Sequence, residues 1–184
     1  MRLYRIIENK KFKEYREKVF KTEHNEKLLE SWMEENPESI IEDGALLVIG
    51  RQIVTSFGSF IDLLALDKSG NSVIVELKRD RTPRDTLAQA LEYSSFISNL
   101  SYEQLEQIFK KYAQDENANL VEYHKEYFNL GETEGATFNK NQRIVIMGYE
   151  ISSQVKETAL FLRKGESELL VLSLIISKQS RVNN

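Results

Sequence analysis

Phe60-Ile61-Asp62-Leu63-Leu64-Ala65-Leu66-Asp67-Lys68-Ser69-Gly70-Asn71-Ser72-Val73-Ile74-Val75-Glu76-Leu77-Lys78 reads as two apolar strands joined by a tight turn. Asp67-Lys68-Ser69-Gly70-Asn71 holds the residue types a hairpin turn needs, and the flanking runs are rich in Leu, Ile and Val. Three charges interrupt those runs: Asp62 on the first, Glu76 and Lys78 on the second. Side chains alternate along a strand, so Glu76 and Lys78 share a face while Leu77 turns the other way. The hairpin then lays the strand of Asp62 beside that of Glu76, and the three groups converge.

Outward from this hairpin the chain predicts a mixed sheet covered by helices, an α/β fold. Upstream, residues 44–50 (GALLVIG) and 51–57 (RQIVTSF) read as two short β-type runs separated at Gly50-Arg51. Asn25 to Asn36 is an amphipathic helix, with Leu28, Leu29, Trp32 and Met33 at helical spacing and Asn36-Pro37 ending it. The first twenty residues suggest a short strand at Leu3–Ile7 and then a basic, loosely helical stretch. Downstream, Pro83 sits at the start of a helix over 84–99 whose face is formed by Leu87, Leu91 and Ser94. Ser101 and Gln104 form a capping box for a further helix carrying Leu105, Ile108, Phe109 and Tyr112. Residues 114–142 are polar and turn-rich and read as a long excursion or loop. A strand at Arg143–Met147, a helix at Ser153–Arg163 and a wholly apolar strand at Leu169–Ile176, whose composition suits a central position, complete the chain. No repeat or linker divides it, so residues 1–184 are expected to be one domain. Its core motifs fall within 23–97, and a strand-helix-strand unit covers 143–176.

Composition removes whole classes of chemistry. The chain contains no cysteine and only His24 and His124. Disulfides, thiolate metal sites and cysteine nucleophiles are excluded, and a zinc site or a Ser-His-Asp triad has almost nothing to use. Any metal would be held by carboxylates, which favours Mg²⁺ or Mn²⁺. No apolar run is long enough to cross a bilayer and the start is charged, so a cytoplasmic location without membrane attachment is expected. The net charge is −4, but it is unevenly spread. Arg2–Lys21 carries eight basic and three acidic residues, whereas Glu23–Asp43 carries eight acidic residues and only Lys27. Such segregation can give an acidic protein one basic face; solvated helix faces are the plainer reading of it.

Buried carboxylates cost several kcal/mol unless compensated. Two carboxylates and a lysine on neighbouring strands supply that compensation, above all around a divalent cation. The arrangement suits phosphodiester hydrolysis, in which a metal polarises the phosphate and activates water while a cation stabilises developing charge. Asp62 and Glu76 would hold the metal, helped by the Leu77 backbone carbonyl. Lys78 would orient or deprotonate the water, or neutralise the phosphate. A Glu-x-Lys alone is more often an ion pair on an amphipathic strand; Asp62 one hairpin upstream is what shifts the reading.

Gly58–Asp67, Gly70 and Val73–Arg81, with Glu26–Glu30 and Asn36-Pro37 upstream and Gln89 and Tyr93 downstream, closely resemble the RecB-like core of the PD-(D/E)xK nucleases. Among these, the C-terminal nuclease domain of NucS/EndoMS-type endonucleases is the most similar in motif. The resemblance implies a restriction endonuclease-like core and a Mg²⁺-dependent nuclease, with DNA the expected substrate. It makes Asp62 and Glu76 metal ligands and Lys78 the catalytic lysine. The family's helical glutamate falls on Glu26 or Glu30. Glu26 is preferred because it lies nearer the edge of the apolar stripe, whereas Glu30 should point to solvent. Gln89 and Tyr93, four residues apart on one helix face, match the family's Gln-x-x-x-Tyr feature. Arg51, Gln52, Arg79 and Arg81 would lie along the nucleic-acid path, and Arg84 is more plausibly an ordinary surface residue.

About 22 residues precede the core motifs, with no counterpart of those relatives' separate DNA-binding and dimerisation domain, so mismatch specificity is not expected to carry over. Other classes remain open: a nuclease fold without catalysis that binds nucleic acid or protein, and an RNA-directed nuclease. A small basic footprint on an acidic chain further implies a homodimer or a partner that delivers the substrate.

Overall fold

Five strands form the central sheet, and two more form a separate hairpin. The structure is a computed structural model that describes residues 3–7, 11–15, 25–41, 44–131, 133–164 and 169–173, with only the backbone described for 3–7, 11–15 and 169–173.

Strand β1 (Leu3–Ile7) pairs antiparallel with β2 (Lys11–Tyr15). The helical stretch expected after the first strand is therefore a strand over 11–15. Phe12 and Tyr15 fall three apart, a spacing that suits a helix, and pairing with β1 overrides it. The remainder of the basic stretch, 16–21, lies outside the described residues, as does Arg2. Helix α1 (Glu26–Glu35) starts at Asn25, whose Oδ1 accepts from the Leu28 N–H at 2.9 Å. It ends at Asn36, before Pro37.

The two upstream β-type runs are one strand, β3 (Leu47–Val54). Gly50 does not break it; the register shifts between Val48 and Gly50 as a bulge and the ladder continues. Strands β4 (Phe60–Leu66) and β5 (Ser72–Arg81) form the expected hairpin. Asp67 Oδ1 accepts from the N–H groups of Ser69 and Asn71 at 2.9 and 3.0 Å, and Gly70 takes a positive φ of 85°. A side chain at Gly70 would also meet Ala136 and the Thr137 carbonyl at 3.0 Å.

Helices α2 (Thr86–Ser98) and α3 (Tyr102–Ala113) follow, the latter with the predicted Ser101–Gln104 capping box. Within the supposed excursion stands a further helix, α4 (Leu120–Tyr127), capped by Asn119. Strand β6 (Gln142–Glu150), helix α5 (Ser153–Arg163) and strand β7 (Leu169–Ser173) complete the described chain. Neighbours β3, β4 and β5 run antiparallel, while β5, β6 and β7 run parallel, so the sheet is mixed. Among the described residues β7 is an outer strand, not the central one its composition suggests. An apolar run marks a strand of a parallel sheet and does not by itself place it in the middle.

Helix α1 covers one face of the sheet, burying Leu29 and Met33 against Leu63, Ala65, Val73, Val75 and Leu77. On the other face Tyr93 and Ile97 of α2, Leu105 and Phe109 of α3 and Leu120 of α4 pack on Leu64, Leu66 and Ile74. Leu87, Ala90, Val155 and Ala159 cover Ile144 and Ile146. The buried stripe of α2 is Thr86, Leu87, Ala90, Tyr93 and Ile97, whereas Leu91 is 41% exposed. Leu91 and Ser94 thus do not form the packing face. Small residues at 86 and 90 let the helix lie close to the sheet.

Candidate active site

Register builds the site. The β4–β5 ladder runs from Leu66↔Ser72 to Leu63↔Val75 and stops there. One step further along that register, Asp62 faces Glu76. Strand β5 continues alone on that side, held by β6 through Glu76↔Ile146, Leu77↔Met147 and Lys78↔Gly148. The Leu77 N–H, left without a β4 carbonyl, donates to Asp62 Oδ2 at 2.7 Å. Gln52 Nε2 donates to Asp62 Oδ1 at 3.1 Å. Gln52 adopts a positive φ of 50°, uncommon for a residue other than glycine.

Glu76 is 2% exposed. Its Oε1 pairs with the Lys78 ammonium, and its buried Oε2 has no hydrogen-bond partner among the described residues. Leu77 is fully buried in the core on the α1 side, as strand alternation requires. Burial, then the Glu76 charge, push the Asp62 carboxyl up from 3.8 to about 7, against the opposing Leu77 N–H and Lys78. Glu76 is also raised, because desolvation outweighs Lys78. For Lys78 burial acts downward, but Glu76, with help from Asp62 and Glu26, holds it above its ordinary range. Lys78 therefore stands in the site as an ammonium at neutral pH.

Both candidate glutamates of α1 reach this region. Glu26 is exposed, yet its Oε1 accepts from the Arg79 N–H at 3.2 Å, next to Lys78. Glu30 does not point to solvent: it is 6% exposed and takes Arg51 Nε at 3.2 Å on Oε2. Arg51 also gives Nη1 to Glu34 at 2.7 Å and Nη2 to the Lys27 carbonyl. Its guanidinium is thus bound to α1 and not held out toward a phosphate. Arg81 pairs with Glu150 at 3.3 Å on the surface. Arg79 is half-buried and Arg84 is exposed.

Tyr93 is buried, and burial and then the Glu76 charge push its hydroxyl upward. Gln89, half-buried, lies one turn before it on α2. Two roles escaped sequence reading. Ser59, just before β4, donates to Glu92 of α2 at 3.1 Å. Gln52, expected on the nucleic-acid path, holds Asp62. Neither carries a local signal, since both contacts join separate elements.

The oxygens of Asp62, Glu76 and the Leu77 carbonyl form a hard donor set suited to a divalent cation. The unpartnered buried oxygen of Glu76 and the raised Asp62 carboxyl fit such an ion, which would relieve both. Among the described residues no group of three or more His, Cys, Asp or Glu is arranged to hold a metal. Any site would rest on two carboxylates and main-chain oxygen. A cavity of about 650 Å³ lies nearby between β3 and α3, lined by Arg51, Gln52, Ile53, Phe96 and Ile108 among others, but not by Asp62, Glu76 or Lys78.

A mixed sheet with one helix on one face and several on the other, and with acidic residues where its central hairpin parts, has the architecture of a restriction endonuclease-like core. Residues 25–122 match the family of the endonuclease NucS C-terminal domain, more than half of the chain, and the chain belongs to that family. Two solved structures are similar. One is the crystal structure of a repair endonuclease from Pyrococcus abyssi, 21% identical with a TM-score of 0.48, covering 83% of this chain and 47% of that one. The other is an EndoMS complex with double-stranded DNA, 21% identical with a TM-score of 0.45, covering 79% and 43%. The chain therefore spans less than half the length of either. Curated proteins give no match. Among the described residues no helix is long and apolar enough to cross a membrane.

Proposed function

We propose that the protein is a divalent-metal-dependent nuclease that hydrolyses phosphodiester bonds in DNA. The observation that carries this reading is the placement of Asp62 opposite Glu76 where their strands part, with Lys78 on Glu76. Asp62, Glu76 and the Leu77 carbonyl would hold Mg²⁺ or Mn²⁺, which supplies Lewis acidity and lowers the pKa of bound water. Gln52 and the Leu77 N–H fix the Asp62 carboxylate. Lys78, kept protonated by Glu76, donates to the attacking water or to the phosphate and is not the base that deprotonates water. Tyr93, buried on α2, and Gln89 one turn before it would support the site from that helix. Single-stranded, duplex and flapped DNA, and RNA, should each be incubated with Mg²⁺, Mn²⁺ or EDTA. Cleavage of DNA with either ion and none with EDTA is expected. Metal-independent cleavage, or RNA cut in preference, would overturn the reading. The alternative, a fold that binds without cutting, draws on the Glu76 charge already being met by Lys78; it predicts metal-insensitive DNA binding without cleavage.

Glu26 is the helical glutamate we assign to this chemistry, through its grip on the backbone beside Lys78. Glu26→Ala should slow cleavage about tenfold, the lower end for a group that supports a metal site, with little change in stability. Glu30→Ala should instead cost about 1–3 kcal/mol, because it unpairs a charged hydrogen bond. Denaturation and cleavage rates on both variants check this; a rate loss confined to a stably folded Glu30→Ala would reverse the assignment.

Binding by a lone chain should be weak. Among the described residues Arg51 and Arg81 are engaged by Glu30, Glu34 and Glu150, which leaves few guanidinium groups beside the site for phosphates, and the chain has a net charge of −4. Each phosphate contact steepens the salt dependence of affinity, so a lone chain should show a shallow slope. We assign the deficit to a homodimer or a delivering partner. Sedimentation at micromolar concentration with binding repeated over a salt series tests it; a monomer that holds DNA tightly at physiological salt contradicts it.

A further inference from the structure

The turn joining β3 to β4 exposes three large apolar side chains within seven residues: Val54 at 57%, Phe57 at 74% and Phe60 at 51%. Water contact on that scale at one tip calls for an occupant. The tip is also built to keep its shape. Thr55 N–H donates to the Ser59 carbonyl at 2.9 Å, Gly58 N–H to the Thr55 carbonyl at 3.0 Å, and the Thr55 and Ser59 hydroxyls lie 2.7 Å apart. Gly58 supplies the positive φ of 80° that closes the turn. Ser59 then ties the tip to Glu92 of α2. A rigid aromatic presented to solvent loses little entropy on binding.

Position names the occupant. Phe60 is two residues from Asp62 on the same strand, about 7 Å at 3.3 Å per residue, or about two base steps at 3.4 Å. Strand β4 begins where β5 ends, so the tip stands at the end of the sheet that carries Lys78, Arg79 and Arg81. Exposed rings on and just before the strand that carries Asp62, continuous with the proposed phosphate-cleaving centre, suit nucleic acid, where bases stack on aromatics. We propose that Phe57, with Phe60 behind it, stacks on the bases next to the scissile phosphate. This rests on the nuclease reading above.

The test uses wild type, Phe57→Ser, Phe57→Trp and Asp62→Asn, with a single strand and a flapped duplex each carrying 2-aminopurine near the cut. Stacking of one base on one ring predicts that Phe57→Ser binds roughly ten- to a hundredfold more weakly. Its salt slope should be unchanged because no phosphate contact is removed, and its melting temperature should be equal or higher. Phe57→Trp should keep both binding and 2-aminopurine quenching. Phe57→Ser that binds, quenches and cuts like wild type would overturn the proposal alone. So would an altered sedimentation coefficient in Phe57→Ser without loss of binding, which would make the tip a contact between copies of the chain. Wild type that cleaves nothing with Mg²⁺ or Mn²⁺, or that Asp62→Asn matches, would overturn the nuclease reading and this proposal with it.

Discussion

Replacing Asp62 by Asn should cut metal-dependent cleavage at least about a thousandfold, since a metal ligand contributes several kcal/mol of transition-state stabilisation at about 1.4 kcal/mol per tenfold, and should make the metal-free protein more stable. The geometry allows both. Asn is the same size, its oxygen can still accept the Leu77 N–H, and Gln52 can turn its amide to accept where it now donates. What disappears is a carboxylate that burial and Glu76 disfavour.

Its sign with pH follows from the same numbers. Asp62 binds its proton more tightly when folded, at about 7, than when unfolded, near 3.8. Ionising it therefore opposes folding. The penalty is absent below about pH 3.8 and grows until it is complete above about pH 7. That difference corresponds to at most about 4 kcal/mol. Urea unfolding in EDTA should accordingly show wild type losing stability between pH 4 and pH 7 while Asp62→Asn loses much less. Loss of more than about 2 kcal/mol in the variant at pH 8 would give Asp62 a structural role, since losses that large mark a broken buried network.

The β4–β5 hairpin was legible because its signals are local. Alternation, an Asp-x-x-Gly turn and charges at apolar positions all fall within nineteen residues, and the register they imply is the one that forms. What was misread depends on packing. Leu91 outranks Ala90 by hydrophobicity, but a helix lying close to β5 and β6 needs the small residue inward. Leu120–Tyr127 is too polar to look helical, although Asn119 caps it and Leu120 and His124 bury one turn apart. Gly50 looks like a break in β3, yet the ladder continues through it, and a Cβ there would lie 2.6 Å from Ile53 and 3.0 Å from Ile108 of α3, which is why the position is glycine. Glu30 reads as a solvent carboxylate until Arg51, 21 residues away, folds back on it. Each miss has a partner remote in sequence, which periodicity cannot register.

Lys78→Ala should be the most damaging single change, because it strikes stability and rate together. Glu76 is almost fully buried and one of its oxygens is already unpartnered, so Lys78 is the compensation it has. Removing one member of a buried pair costs about 3–5 kcal/mol; the lower end applies, since the Lys78 side chain is 22% exposed. Glu76, already raised by desolvation, then holds its proton to higher pH, which neutralises it in acid. The loss should therefore be smaller in acid and grow as the pH rises and Glu76 ionises. Lys78 itself does not shift this window, because its folded pKa lies above 10.5 and its contribution is intact throughout the neutral range. Glu76→Gln in the Lys78→Ala background should restore most of the stability but none of the cleavage, which falls about 10²–10³-fold when one preorganised donor to developing charge is lost. Equal stability loss in the single and double variants would mean that Lys78 supports the fold by packing its chain, and that Glu76 does not depend on its charge.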